Sequence, residues 1–263
     1  MNKRIIYTLF YKENNFYLSR NFRLQKVGDI SWLKSNFGFG ETCNYIDELM
    51  IILVKPSPTL DDYQSYFNDV NQLRKKIFVP ITLGGGIRNF DQAKNCFLNG
   101  ADKLLLNTIF FNDQTVLDKI SNVYGSQAIT LMIDYNIDTV TKERTIYINS
   151  GTKPYDQLNK DLIFKMLKAN CGEIIFNSIE QDGTGAGLDA GLLDLIDKTF
   201  SKPLLMMGGS GKPEHITNIL KNDKVNGVVT ANLFNFLGTG LEVSRNLAIN
   251  SGVKLAKFEK INL

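Results

Sequence analysis

Two glycine-rich stretches of this chain read as copies of one unit, 124 residues apart. Pro80 leads through Gly84, Gly85 and Gly86 to Asn107 and Thr108, and Pro203 leads through Gly208, Gly209 and Gly211 to Ala231 and Asn232. The same offset lays residues 4–10 on residues 128–134, two apolar runs of strand length. A repeat of this size makes the chain two fused halves, each carrying the same βα units and the same glycine turn. The aligned runs end differently: the second in the carboxylate of Asp134, the first in the ring of Phe10.

Apolar, β-rich runs at 4–10, 48–54, 77–83, 102–107, 127–134, 173–178, 203–207 and 226–230 alternate with amphipathic stretches at 29–42, 60–75, 90–98, 113–124, 155–169, 190–200, 213–220 and 240–249. Eight such alternations predict parallel βα units. Asn89 before Phe90 and Asn112 before Asp113 suit helix N-caps. Residues 135–150 hold two β-like arms around a polar turn, an expected hairpin after the fifth strand. With 263 residues and 43% hydrophobic content, the reading is an α/β fold, a single (β/α)8 TIM barrel over residues 1–263 with a half-barrel repeat. Site residues in that fold follow the strands.

A net charge of +3 without a basic, aromatic-interleaved stripe argues against a nucleic-acid partner. Cys43, Cys96 and Cys171 have no metal-type spacing, so they read as reduced thiols of a cytoplasmic protein with no metal and no cofactor. No window reaches membrane-spanning length, and a membrane partner is not expected.

The exposed N–H groups of Gly85 and Gly86, and of Gly208 and Gly209, can approach an anion without a Cβ in the way. One such turn is as readily a tight connection as a site. Two at matched positions, completed by Asn107 and Thr108 in one half and by Ala231 and Asn232 in the other, favour two phosphate sites and a phosphorylated small-molecule ligand. Asp182 and Gly183 begin a third glycine-rich loop, where Asp182 can move a proton or tie down its own loop. Asp134 is the stronger acid–base candidate. At the opposite end Arg4, Glu48, Lys103 and Glu173 each start a strand among apolar residues, and buried charges must pair. By themselves they read as a structural plug. His215 reads as a surface residue.

These residues resemble, along essentially the whole chain, the cyclase subunit of imidazole glycerol phosphate synthase. The resemblance is carried by Pro80–Arg88, Gly100–Lys103 with Asn107, Gly125–Gln127 with Ile133 and Asp134, Gly172–Ile175 with Ser178 and Asp182–Thr184, and Gly208 and Gly209 with Glu214 and His215. It implies a glutaminase docked on the strand-start face, in contact with Asp102, and ammonia passing through the barrel to a bisphosphorylated substrate. Arg4, Glu48, Lys103 and Glu173 then fall on the ammonia gate. Gly86, Asn107 and Thr108 fall on one phosphate site, and Asp182, Gly183, Gly209 and Asn232 on the other.

The reacting end departs from the family pattern. Phe10 stands where the family has the first of two facing aspartates, Leu18 where it has a loop lysine, and Leu53 where it has a strand-two aspartate. A phenyl ring moves no proton, and losing one acid–base partner costs a factor of roughly 10²–10⁴ in rate. The leading expectation is a subunit of a glutamine amidotransferase complex. It would receive ammonia from a glutaminase and pass it to a third protein, an amidotransferase for an N-acetylated nucleotide sugar in surface-glycan synthesis. Two alternatives stay open: a histidine-pathway cyclase with an altered acid–base set, and a catalytically silent phosphate-binding protein.

Overall fold

A computed structural model describes residues 2–36, 43–55, 57–197, 199–231 and 239–256. Its strands are β1 (Arg4–Lys12), β2 (Asn15–Arg20), β3 (Arg23–Gly28), β4 (Glu48–Leu53), β5 (Ile81–Gly84), β6 (Lys103–Leu106), β7 (Ile129–Ile137), β8 (Arg144–Ile148), β9 (Lys153–Gln157), β10 (Glu173–Ser178), β11 (Leu204–Met207) and β12 (Gly227–Thr230). The described helices are α1 (Ile30–Asn36), α2 (Leu60–Arg74), α3 (Phe90–Leu98), α4 (Thr108–Asn112), α5 (Gln114–Tyr124), α6 (Lys160–Leu167), α7 (Pro213–Leu220) and α8 (Gly240–Asn250).

Eight strands pair in parallel in the order β1, β4, β5, β6, β7, β10, β11, β12, and β12 pairs back on β1, with Arg4 opposite Gly227. The sheet is a closed (β/α)8 barrel, which leaves no exposed barrel edge. The sequence repeat reappears as a structural one: β1, β4, β5 and β6 correspond to β7, β10, β11 and β12. One half begins with Arg4, Glu48, Ile81 and Lys103, the other with Ile129, Glu173, Leu204 and Gly227.

Each half also carries an antiparallel excursion after its first strand. In the second half, β7 runs on to Ile137 and pairs with β8, which pairs with β9. Residues 155–157, expected in a helix, therefore lie in β9. The helix α6 starts only after Asn159, whose side chain accepts from Leu162 N at 2.9 Å. In the first half, β2 and β3 form a hairpin on β1 that the sequence reading left unassigned.

Other expectations need correction. The helix expected over 190–200 is a short 3-10 turn, Ala190–Asp194. The Asp189 carboxylate that would cap a helix there instead takes Arg144 Nε at 2.7 Å and Nη2 at 2.8 Å, together with the Tyr135 hydroxyl at 3.0 Å. The third barrel strand begins at Ile81, not at 77, because Ile77 N closes the turn that ends α2 on Arg74 O. The cap of α5 is Asp113, which accepts from Thr115 N at 3.0 Å, not Asn112. Asn89 caps α3 as expected. The expected helix over 29–42 is seen as Ile30–Asn36, and its remainder lies outside the described residues.

Candidate active site and charged ring

Alternation along the strands points Arg4, Ile6, Thr8 and Phe10 of β1 into the barrel, and the other strands contribute in register. The lowest layer is the predicted charged quartet. Lys103 Nζ lies 2.8 Å from Glu48 Oε2 and 3.0 Å from Glu173 Oε1, while Arg4 reaches Glu48 Oε2 at 3.3 Å and pairs with Glu173 Oε2. Each carboxylate thus holds both cations, and each also accepts from a threonine, Glu48 from Thr82 and Glu173 from Thr130. The result is a closed ring of alternating charge around the barrel axis. Burial alone would raise the Glu173 carboxyl, but Lys103 and Arg4 outweigh it and hold it below the ordinary value. A lone buried charge is several kcal/mol unfavourable; here no ring charge is alone.

Asp102, just before β6, is exposed, and its carboxylate accepts from Ile81 N at 2.8 Å. Asp47 does the same for Ile5 N at 2.8 Å, so one structural role of this position recurs around the barrel.

Above the ring the interior is apolar, formed by Ile6, Met50, Leu105, Met132, Ile175, Leu205, Met207 and Val229, with Phe10 and Ile52 packed against it. This layer is the floor of a cavity of about 190 Å³, since Phe10, Ile52, Leu105 and Met132 line both. Gly85, Gly86, Asn107, Thr108 and Asp134 line the same cavity, so the expected first phosphate site and the expected acid share one space. Gly85 is required there: its φ is +99°, and a Cβ would stand 2.0 Å from Leu53 O.

Asp134 is buried between two amides. Asn107 Nδ2 donates to its Oδ2 at 2.7 Å and Asn177 Nδ2 to its Oδ1 at 2.8 Å. Burial pushes its carboxyl up to about 7; the two amides offset part of that, and the charge of Asp182 adds to it. A carboxyl poised there can both take and give a proton near neutral pH. Phe10, on the opposite side of the barrel, can do neither.

The second glycine loop borders a separate void of about 20 Å³, lined by Asp182, Gly183, Gly208, Gly209, Ser210 and Ala231 on the barrel side and by Leu18 and Ser19 of β2. Asn232, expected to complete it, lies outside the described residues. Asp182 is tied to the β2–β3 hairpin: Ser19 Oγ and Phe22 N, the latter at 3.1 Å, both donate to its Oδ2. Burial raises its carboxyl, with those donors opposing. Its carboxylate thus ties the loop to a distant hairpin and not, as expected, to its own loop's N–H groups. Leu53 lines the larger cavity and Leu18 the smaller, so each apolar replacement borders one of the two cavities. His215 is half-buried and its Nδ1 accepts from Gly211 N at 3.3 Å.

The sequence reading missed Asn177, Lys55 and Arg88 in the cavity wall and Ser19 and Phe22 over it. Asn177 had a signal: it stands four residues beyond Glu173 on one strand, hence on the same inward face. Lys55 pairs with Asp62 at 2.7 Å, and Arg88 Nη2 reaches Asn149 Oδ1 at 3.4 Å. Among the described residues no cluster of His, Cys, Asp and Glu is arranged to hold a metal, and no helix is long and apolar enough to cross a membrane.

Comparison with known proteins agrees with this architecture. A family profile described as "Histidine biosynthesis protein" matches residues 46–239. A Parasynechococcus marenigrum protein named "Putative imidazole glycerol phosphate synthase subunit hisF2" is 39% identical over 97% of this chain and 94% of its own length. The protein named "Imidazole glycerol phosphate synthase subunit HisF" is 29% identical in Leptospira biflexa, over 81% of this chain and 82% of that one. Its namesake in Pelodictyon phaeoclathratiforme is 31% identical over 72% and 74%. The chain therefore belongs to the histidine-biosynthesis protein family, within its HisF-like group of imidazole glycerol phosphate synthase cyclase subunits.

Proposed function

We propose that this barrel is the ammonia-receiving subunit of a glutamine amidotransferase complex. A glutaminase docks on the strand-start face around Asp102, and ammonia enters through the ring of Arg4, Glu48, Lys103 and Glu173. It leaves at the cavity beside Asp134 for a third protein that amidinates an N-acetylated nucleotide sugar. The cytoplasm is the compartment in which such substrates and reduced thiols coexist. One observation carries the reading: the ring is complete and fully paired while the proton-transfer end holds Phe10 where a second acid would stand. Both glycine loops are kept, so a phosphorylated ligand or product remains part of the proposal.

The test is reconstitution of barrel, glutaminase and amidotransferase with glutamine and an N-acetylated nucleotide sugar, following the amidine by mass. Amidine formation that requires all three supports the reading. Equal amidination without the barrel contradicts it.

A second reading, a histidine-pathway cyclase with an altered acid–base set, is favoured by the near-neutral carboxyl of Asp134. It needs a partner acid, and Asp182 is already engaged by Ser19 and Phe22. Turnover of the bisphosphorylated ribulosyl substrate at an ordinary enzymatic rate with ammonium salts would establish it.

A further inference from the structure

We infer that Asp134 and Asn177 form a binding site for ammonium at the point where the apolar layer opens into the cavity. The inference rests on the proposed passage of ammonia and says where that ammonia is held.

Asn177 is 3% exposed, and its Nδ2 is committed to Asp134 Oδ1 at 2.8 Å. Its Oδ1 is buried with no hydrogen-bond donor among the described residues. A buried acceptor left unmet is costly, and such an atom calls for a donor such as a water or a bound ligand. Asn177 also touches the apolar layer directly, with Met132 Sδ 4.0 Å from its Nδ2. The site thus offers one carboxylate and one neutral amide oxygen that only accepts, above the aliphatic and thioether side chains of the layer.

That donor–acceptor pattern suits a small cation that donates hydrogen bonds in several directions. Phe10 limits the anionic charge to one, which matches a monovalent ion. The charged residues lining the cavity besides Asp134 are Lys55 and Arg88, which face Asp62 and Asn149, and Asp182 adds its negative charge from beyond. Neutral ammonia can cross the apolar layer, whereas an ion is strongly disfavoured there. At the cavity floor the protonated Asp134 carboxyl gives its proton to the ammonia lone pair, leaving ammonium paired with carboxylate and donating to Asn177 Oδ1. The reverse transfer releases ammonia.

The experiment uses the full chain alone, with ¹³C-labelled Asp and Asn side chains, held at pH 7 and titrated with ammonium chloride. Sodium, potassium and tetramethylammonium chlorides at equal ionic strength serve as comparators. Ammonium should move the Asp134 carboxyl carbon toward its ionised position and shift the Asn177 carbonyl carbon with the same midpoint. Potassium should act at least threefold more weakly, and tetramethylammonium not at all. Asn177→Leu should weaken the Asp134 response at least tenfold. Equal responses to sodium and ammonium, different midpoints at the two residues, or a full response in Asn177→Leu would overturn the site. The two midpoints are read on the unaltered chain, so the test does not depend on the variant folding. No glutaminase is present, so a negative result here leaves docking untouched, and failed docking leaves this site standing.

Discussion

Phe10 and Asp134 face one another across the mouth of the barrel: β1 and β7 are four strands apart in the closed ring of eight, and both side chains line one cavity. The half-barrel repeat places them at equivalent positions, so the asymmetry between ring and carboxylate sets the chemistry of the barrel mouth. An acid acting alone can pass a proton back and forth, but it cannot take a proton on one face of a substrate while giving one on the other.

The first prediction follows for catalysis. Turnover of the ribulosyl bisphosphate substrate with ammonium salts should lie about 10²–10⁴-fold below that of the HisF relatives measured side by side. Phe10→Asp should recover about tenfold of it. Leu18 and Leu53 still replace polar groups at the cavity edges, so recovery stays partial.

Asp134 makes stability depend on pH. Its folded carboxyl titrates at about 7, against roughly 3.9 when unfolded. Between those values the native state keeps a proton that the unfolded chain has lost, so this group progressively lowers stability as pH rises from about 4 to 7. Thermal melting of Asp134→Asn against wild type should show the Tm difference moving in the variant's favour across that window. A constant difference from pH 4 to 8 would contradict the buried carboxyl.

The ring gives a prediction of opposite sign. Glu173→Gln leaves Arg4 and Lys103 with Glu48 as their only ring carboxylate. Loss of a buried partner costs about 3 kcal/mol, or a Tm fall of roughly 6–12 °C. Because the folded carboxyl is held low, its stabilisation is present above the ordinary glutamate value and fades as pH falls through the folded one. Melting curves should therefore converge in acid.

Beside the Asp182 contacts, the β2–β3 hairpin is held to the loop after β10 by Asn21, whose Nδ2 donates to Glu180 O at 2.7 Å and which itself sits at φ +49°. Asn21→Ala removes that bond, worth about 1 kcal/mol, and places alanine in a left-handed conformation at a cost of about 1 kcal/mol more. Hydrogen exchange at Asn21 and Phe22 should accelerate roughly thirtyfold if the hairpin opens locally. Unchanged exchange would mean it is held elsewhere.

Much of this architecture is legible in the sequence. The 124-residue offset foretold the closed barrel and its repeat, because apolar runs of strand length and glycine turns are local signals. The charged quartet was legible for a similar reason: each member stands at a strand start among apolar neighbours. The β2–β3 hairpin was not, since Asn15–Gly28 mixes polar and apolar residues and is stabilised by pairing to β1 and by Asp182, 160 residues from Phe22 in sequence. The missing helix after β10 has the same cause, a capping carboxylate claimed by Arg144 from a distant hairpin. The clasp of Asn107 and Asn177 on Asp134 joins three strand ends and could be seen only once they were closed into a ring.

In the proposed complex ammonia travels inside this barrel. The most direct measurement supplies glutamine labelled with ¹⁵N in its side-chain amide to the reconstituted complex, in an excess of unlabelled ammonium, and reads the isotope in the amidine product. Retained label with the wild-type barrel, diluted when Lys103→Met opens the ring, is the predicted result. Label fully diluted with the wild-type barrel would mean that ammonia reaches the acceptor through bulk solvent.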